Sequence, residues 1–212
     1  MRKNILITVL LILIGLNGNC QKSKKNQSVV DESDVVITLK DGNTKNGKVS
    51  FPILSNEKEF KITIGDKTEK VSKKDVEKIT FKGYNGAIID YYNVRIDKSS
   101  DKTELMQAAI PIGKVKLYTY TWGNGKFRPV YNMQGFSSGG INFYCKRDNE
   151  DYATAVAFND GKSVNRNSLF KKRASKYFAD NPTIVQKIKN GEYKYTDIAQ
   201  VVIEYNGLVT VE

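Results

Sequence analysis

The sequence predicts an α+β fold in which a small N-terminal antiparallel β-barrel or bent sheet leads into further antiparallel strands, then a C-terminal cluster of three short helices. Three observations carry this expectation. Between Val35 and Phe158 apolar residues recur mainly at every second position, the period of half-buried strands. Tight-turn pairs such as Asp41-Gly42 and Gly65-Asp66 punctuate the runs. Beyond residue 165 the apolar spacing lengthens to that of helices.

The chain opens with Met1-Arg2-Lys3-Asn4, followed by an apolar run from Ile5 to Leu16 broken only by Thr8. As a helix this run spans about 18 Å, short of the roughly 30 Å hydrocarbon core of a bilayer. It therefore reads as an export signal (residues 1–20) rather than an anchor. Gly18 and Cys20 are small residues two apart, so cleavage is expected between Cys20 and Gln21. The alternative is acylation of Cys20 as the first residue of an outer-membrane lipoprotein. Asn17 and Asn19 depart from the residues that usually precede such a cysteine. Either way the expected address is extracytoplasmic, periplasmic or secreted. No later segment is long and apolar enough to span a membrane. Residues 21–33 are polar and aperiodic and read as a flexible tether.

The strands start at Val35, Ile37 and Leu39, turn at Asp41-Gly42 and return through Val49 and Phe51. Phe60, Ile62 and Ile64 alternate in the next strand, Gly65-Asp66 leads into KTEKVS, and VEKITF turns Ile79 and Phe81 inward. The order ITLKDG, NGKV, FKITIG and KVSKKDVEKITF resembles the SH3-like or Sm-like barrel, with a polar loop before its last strand. The resemblance implies a small β module over residues 34–82 with lysines and loops free to contact peptides, RNA or proteins. Export argues against the RNA role.

Residues 83–162 are expected to continue as antiparallel strands. YYNVRI alternates Tyr92, Val94 and Ile96, and residues 97–103 read as a loop. VKLYTYT directs Val115, Leu117, Thr119 and Thr121 to one face and Lys116, Tyr118, Tyr120 and Trp122 to the other. The row Tyr118, Tyr120 and Trp122 is the candidate ligand surface, since such rings stack on sugars or bases, although cross-strand packing explains the same row. INFYCK and YATAVAF form a hairpin reversed by Arg147-Asp148-Asn149-Glu150-Asp151.

Helical stripes follow in residues 163–212: Leu169, Phe170, Ala174, Tyr177 and Phe178; then Ile184, Val185 and Ile188; then Ile198, Val201, Val202 and Tyr205. Asn181-Pro182 has the form of an N-terminal cap, and Asn190-Gly191 and Asn206-Gly207 of C-terminal stops. Helices this short are marginal alone, so their stripes must dock on each other and on the middle sheet. Together with GKVKLY, KYFADNPTIVQKIKNGEY and DIAQVVIEYN, the chain resembles a class of uncharacterised secreted proteins from Bacteroidetes. That resemblance implies an envelope address and transfers no activity or site residue.

Excluded chemistry narrows the function. The chain has no histidine and two cysteines, which removes histidine-based triads, histidine metal ligands and a thiolate zinc site. Cys145 shares a strand face with Ile141 and Phe143 and reads as a small buried hydrophobe. The glycine pairs lack phosphate-loop or dinucleotide spacing, and the acidic turn lacks the alternation of a calcium loop. No metal or cofactor is expected. The formal charge of +11 falls by two when Arg2 and Lys3 are removed, which suits an envelope protein or an anionic envelope surface as partner. The lysines are scattered and accompany no nucleic-acid motif, which argues against nucleic acid. The leading expectation is an exported, non-enzymatic interaction or structural module. Its alternative is a carboxylate-dependent hydrolase acting on an envelope or extracellular glycan, with Asp148, Glu150 and Asp151 as candidate carboxylates that also read as turn residues and specify no pair.

The helical face assignment makes a direct prediction. Burial of Phe178 contributes about 1.5–3 kcal/mol, so Phe178→Asp should unfold the helical part while Lys172→Asp is tolerated. Thermal melts of the two variants check this, and equal melting temperatures would refute the assignment.

Overall fold

The computed structural model describes residues 31–51, 53, 57–82, 88–123, 139–159 and 165–208. Its strands are β1 (Asp31–Leu39), β2 (Thr44–Phe51), β3 (Glu59–Ile64), β4 (Lys67–Ser72), β5 (Val76–Lys82), β6 (Ile88–Arg95), β7 (Thr103–Ile110), β8 (Lys116–Gly123), β9 (Gly139–Lys146) and β10 (Thr154–Asn159). The helices are α1 (Arg166–Tyr177), α2 (Pro182–Asn190) and α3 (Ile198–Asn206). The α+β class and the three C-terminal helices are as the sequence predicts.

All ten strands belong to one antiparallel sheet in the order β10-β9-β8-β7-β6-β5-β1-β2-β3-β4. Its one departure from a plain meander is β1, which lies between β5 and β2. A 3-10 turn at Lys73–Asp75 links β4 to β5. The sheet is open: no pairing among the described strands joins its two ends. β1 begins within the span read as tether, because Asp31, Glu32 and Ser33 pair with Phe51, Ser50 and Val49. Backbone pairing at the end of a long hairpin does not require apolar side chains, so the polar run concealed it.

Directly opposed residues of paired strands share a face. One row crosses most of the sheet: Ile37, Ile79, Tyr91, Gln107, Thr119, Phe143 and Ala157. At the β4 end of this face Ile37, Val49, Ile62, Val76, Ile79 and Phe81 form a core with Tyr91 and Leu105. No described helix contributes to that core. At the β10 end the three helices lie on the same face. Phe170, Phe178, Ile184, Ile188, Ile198 and Val202 pack against Leu117, Ile141, Phe143 and Cys145. A bulge between Ala108 and Ile110 brings Ile110 opposite Leu117 and into contact with this helical core.

Local chemistry sets the helix ends. Asn181 Oδ1 accepts the Ile184 N–H at 3.1 Å, and Pro182 supplies the fixed first-turn conformation. α2 and α3 stop at Gly191 and Gly207, both left-handed, with Glu192 and Leu208 donating back to the carbonyls of Lys187 and Ile203. Asn206, in the last turn of α3, also clamps the β7–β8 turn. Its Oδ1 accepts the Val115 N–H at 2.9 Å, and its Nδ2 donates to the Val115 carbonyl at 2.8 Å and the Ile112 carbonyl at 3.3 Å. Gly113 sits beneath this amide at φ +102°, and a Cβ there would fall 2.4 Å from it. Glycine is required on both counts.

Asn206→Ala should therefore destabilise the protein by about 1–3 kcal/mol, because it strands the polar backbone groups of buried Val115. Urea denaturation of the variant checks this; an unchanged midpoint would mean the clamp contributes nothing.

Candidate ligand-binding cleft

The face of the central strands away from the helices carries tyrosines. Lys78, Tyr92 and Met106 align across β5, β6 and β7, and Ala108, Tyr118, Tyr144 and Ala155 align across β7 to β10. Val94, Met106, Tyr118 and Ala153 form a small core here, with Tyr92, Tyr120 and Tyr144 packed around it. Tyr118 is 7% exposed and meets Tyr92 edge-on at 6.1 Å between ring centroids. Lys78 lies over the other tyrosine's ring, 6.0 Å from the Tyr92 centroid. Burial, with Tyr92 and Asp148 nearby, pushes the Tyr118 hydroxyl up to about 12.

The predicted aromatic row is thus divided. Tyr118 is packed in the small core and Tyr120 lies at its margin. Trp122 stands opposite Gly140 in β8, and its side chain lies outside the described residues. Cys20 also lies outside them. Cys145 is fully buried, and desolvation pushes its thiol upward, away from the reactive thiolate.

The acidic turn is organised by Arg147, a residue that sequence patterning did not single out. Its guanidinium donates to Glu150 Oε1 at 3.0 Å, to the Tyr177 carbonyl at 3.1 Å, to Asp180 Oδ1 at 3.0 Å and to the Tyr205 hydroxyl at 3.3 Å. It also lies over the Tyr177 ring, 4.4 Å from the centroid. Glu150 takes the Arg147 N–H and the Tyr177 hydroxyl as well, both at 2.8 Å. Burial opposes the charge on Arg147, but the Tyr205 and Glu150 hydrogen bonds outweigh it and hold the guanidinium protonated. Asp148 binds Lys116 at 2.5 Å, and this hydrogen-bonded cation holds its carboxyl below the usual carboxylate range. Glu150 is thus tied into the Arg147 network and Asp148 into an exposed ion pair. The third, Asp151, has no ion pair among the described residues.

Asp151 lines a cleft of about 580 Å³ at one end of the sheet. Tyr92, Val94 and Tyr118 form its floor. Strand order places Lys146 and Asp151 on the β9 side, and Glu77 and Lys40 on the β5 and β1 side. Arg95 borders it while donating through Nε to the Asp97 and Ser100 carbonyls at 3.1 and 3.0 Å, which shapes the β6–β7 loop. Ala153 closes the other loop by donating its N–H to the Arg95 carbonyl at 2.8 Å. Next to this end of the sheet, burial raises the Glu104 carboxyl above its ordinary range despite Lys102 at 3.7 Å.

No group of three acidic or cysteine side chains suited to a metal occurs among the described residues, and no described helix is long and apolar enough to cross a membrane. Comparison of the chain with protein families, curated proteins and solved structures finds no match.

Arg147→Lys keeps the charge but cannot reproduce the planar fork. It should lower stability by about 1–3 kcal/mol, and Arg147→Ala should lower it further by leaving Glu150 and Asp180 without their cation. Chemical denaturation of both variants checks the order, and equal stability of either with the parent chain would contradict the role given to this side chain.

Proposed function

We propose that this chain is an exported, non-enzymatic interaction module of the cell envelope or its exterior. The observation that carries this reading is a division of labour among the polar side chains. Arg147, Asp148 and Glu150 are engaged in ion pairs and Cys145 in packing, whereas the cleft walls present polar groups that the fold does not use. Such a surface is built for contact. The first five strands run β5-β1-β2-β3-β4 with a 3-10 turn before the last in sequence, which supports reading residues 34–82 as an SH3-like module within the larger sheet. The apolar run followed by Gly18 and Cys20 supports export, and the lineage resemblance to secreted Bacteroidetes proteins agrees with it.

The excess of positive charge suits an anionic envelope surface. Lys172 and Lys176 on α1 and Lys189 on α2 are exposed on the helical layer, away from the sheet. Contacts of this kind weaken with salt. The hydrolase reading keeps one favourable observation, which is that Glu77, Asp101 and Asp151 share the cleft with two tyrosines. Hydrolysis would require two of them in a set separation across a bound bond.

Native envelopes extracted gently at low salt should yield the chain together with a partner protein or with membrane. Its N-terminus by mass spectrometry should be Gln21, or an acylated Cys20. Recovery of only free monomer, or of an unprocessed chain in the cytosol, would defeat the proposal.

A further inference from the structure

We propose that the cleft between β1 and β9 binds a neutral oligosaccharide chain. The inference deepens the interaction-module reading and rests on it in treating the cleft as a place of contact.

Four features select this ligand class. First, the site is long. Its lining is drawn from six neighbouring strands, from Lys40 beyond β1 to Lys146 in β9, so it extends across the strands. Its volume of about 580 Å³ lies within the range of ligand pockets. Such a shape fits an extended chain better than a single small molecule.

Second, the walls are balanced in charge. Each carries one lysine and one carboxylate: Lys146 with Asp151, and Lys40 with Glu77. Arg95 and Asp101, 3.6 Å apart, offset each other at the rim. A polyanion would meet as much repulsion as attraction here, despite the basic character of the whole chain. Third, the side chains of the four wall residues and the Tyr92 and Tyr118 hydroxyls make no hydrogen bond or close ion pair with other described residues, although Lys146 lies near enough to Asp148 to help lower its carboxyl. Strong donors and strong acceptors therefore stand side by side with capacity to spare. Hydroxyl groups, which donate and accept at once, are the ligand chemistry that uses both. Of the floor residues Val94 and Tyr118 are packed in the small core and Tyr92 is half-buried, so the apolar surface offered to the C–H face of a sugar ring comes from Tyr92.

Fourth, the strands beneath the floor are interior. β6, β7 and β8 are each paired on both sides. They offer no free backbone edge, so a peptide could not gain the main-chain hydrogen bonds by which extended peptides join sheets.

The test titrates the processed chain by calorimetry with cellohexaose, maltohexaose and chitohexaose, and in parallel with a heparin hexasaccharide and an uncharged hexapeptide. At least one neutral hexasaccharide should bind saturably and with little dependence on salt. The double variant Glu77→Gln, Asp151→Asn should weaken that binding at least tenfold without a change in melting temperature, since neither carboxylate has a structural partner. Lys146→Ala should weaken it independently. Failure of all three neutral sugars overturns the proposal, as does binding of only heparin or peptide, or undiminished sugar binding by the double variant. Cleavage of a bound sugar upholds the ligand class and removes the non-enzymatic reading. An envelope partner recovered for a chain that binds no sugar does the reverse.

Discussion

Where sheet and helices meet, beside the apolar core, the Arg147 cation gathers polar groups from several elements. Arg147 leaves β9 at the point where the chain must reverse, and its guanidinium reaches α1, the α1–α2 turn and α3 at once. At 20% side-chain exposure it is shielded from water, so its charge would be a liability without compensation. Glu150 and Asp180 provide opposite charge, two tyrosine rings flank it, and a carbonyl takes a remaining donor. Lysine has neither the number nor the planar arrangement of donors to reproduce this. The same loop carries Asp151 and leads to Ala153, whose N–H donates to the Arg95 carbonyl of β6, so the loop that starts at Arg147 also borders the cleft. Packing on one face of the sheet and geometry on the other thereby meet in the β9–β10 loop.

The sheet acts as a two-sided platform. One face carries two different cores, one built from strand residues at one end and one shared with the helices at the other. Among the described residues the opposite face carries one compact cluster, in which Tyr92, Tyr118 and Met106 pack with Ala153. Side-chain amides fasten the connections at the margins. Asn93 donates to the Lys73 and Val76 carbonyls at 2.8 and 2.9 Å, which ties the 3-10 turn to β6, and Asn206 does the equivalent for the β7–β8 turn. Turns held in this way let the loops at the cleft end keep a defined shape without contributing core of their own.

Much of this architecture was legible in the sequence because its causes are local. Alternation exposed Ile37, Ile62, Leu117 and Phe143 as inward residues, and each is buried. The helix stripes through Phe170, Phe178, Ile188 and Val202 were equally plain, as were the caps at Asn181, Gly191 and Gly207. What stayed hidden is non-local. Alternation gave the Tyr92, Val94 and Ile96 face of β6, but not that Ile89 and Tyr91 are buried on its other face in a separate core. Arg147 resembled one more charged turn residue, since only the docked helices give it partners. The cleft draws Lys40, Glu77, Tyr92, Tyr118, Lys146 and Asp151 from segments more than a hundred residues apart, and no spacing rule joins them. The aromatic row was visible as a pattern, but its use as packing emerged only from the register that sets Tyr118 between Ala108 and Tyr144.

The charge distribution gives the two faces different chemistry. A formal charge of +11 would, if spread evenly, make every concavity attractive to anions. Instead the cleft walls cancel in pairs, while exposed lysines on α1 and α2 leave the helical layer basic. Charged contacts between exposed groups are screened beyond about 8–10 Å at ordinary ionic strength, so helices and cleft, separated by the thickness of the sheet, act as independent surfaces. On the proposed reading, adhesion through the helices leaves the cleft facing away from the anionic surface, open to a neutral chain. The sheet between them is what keeps the two chemistries apart.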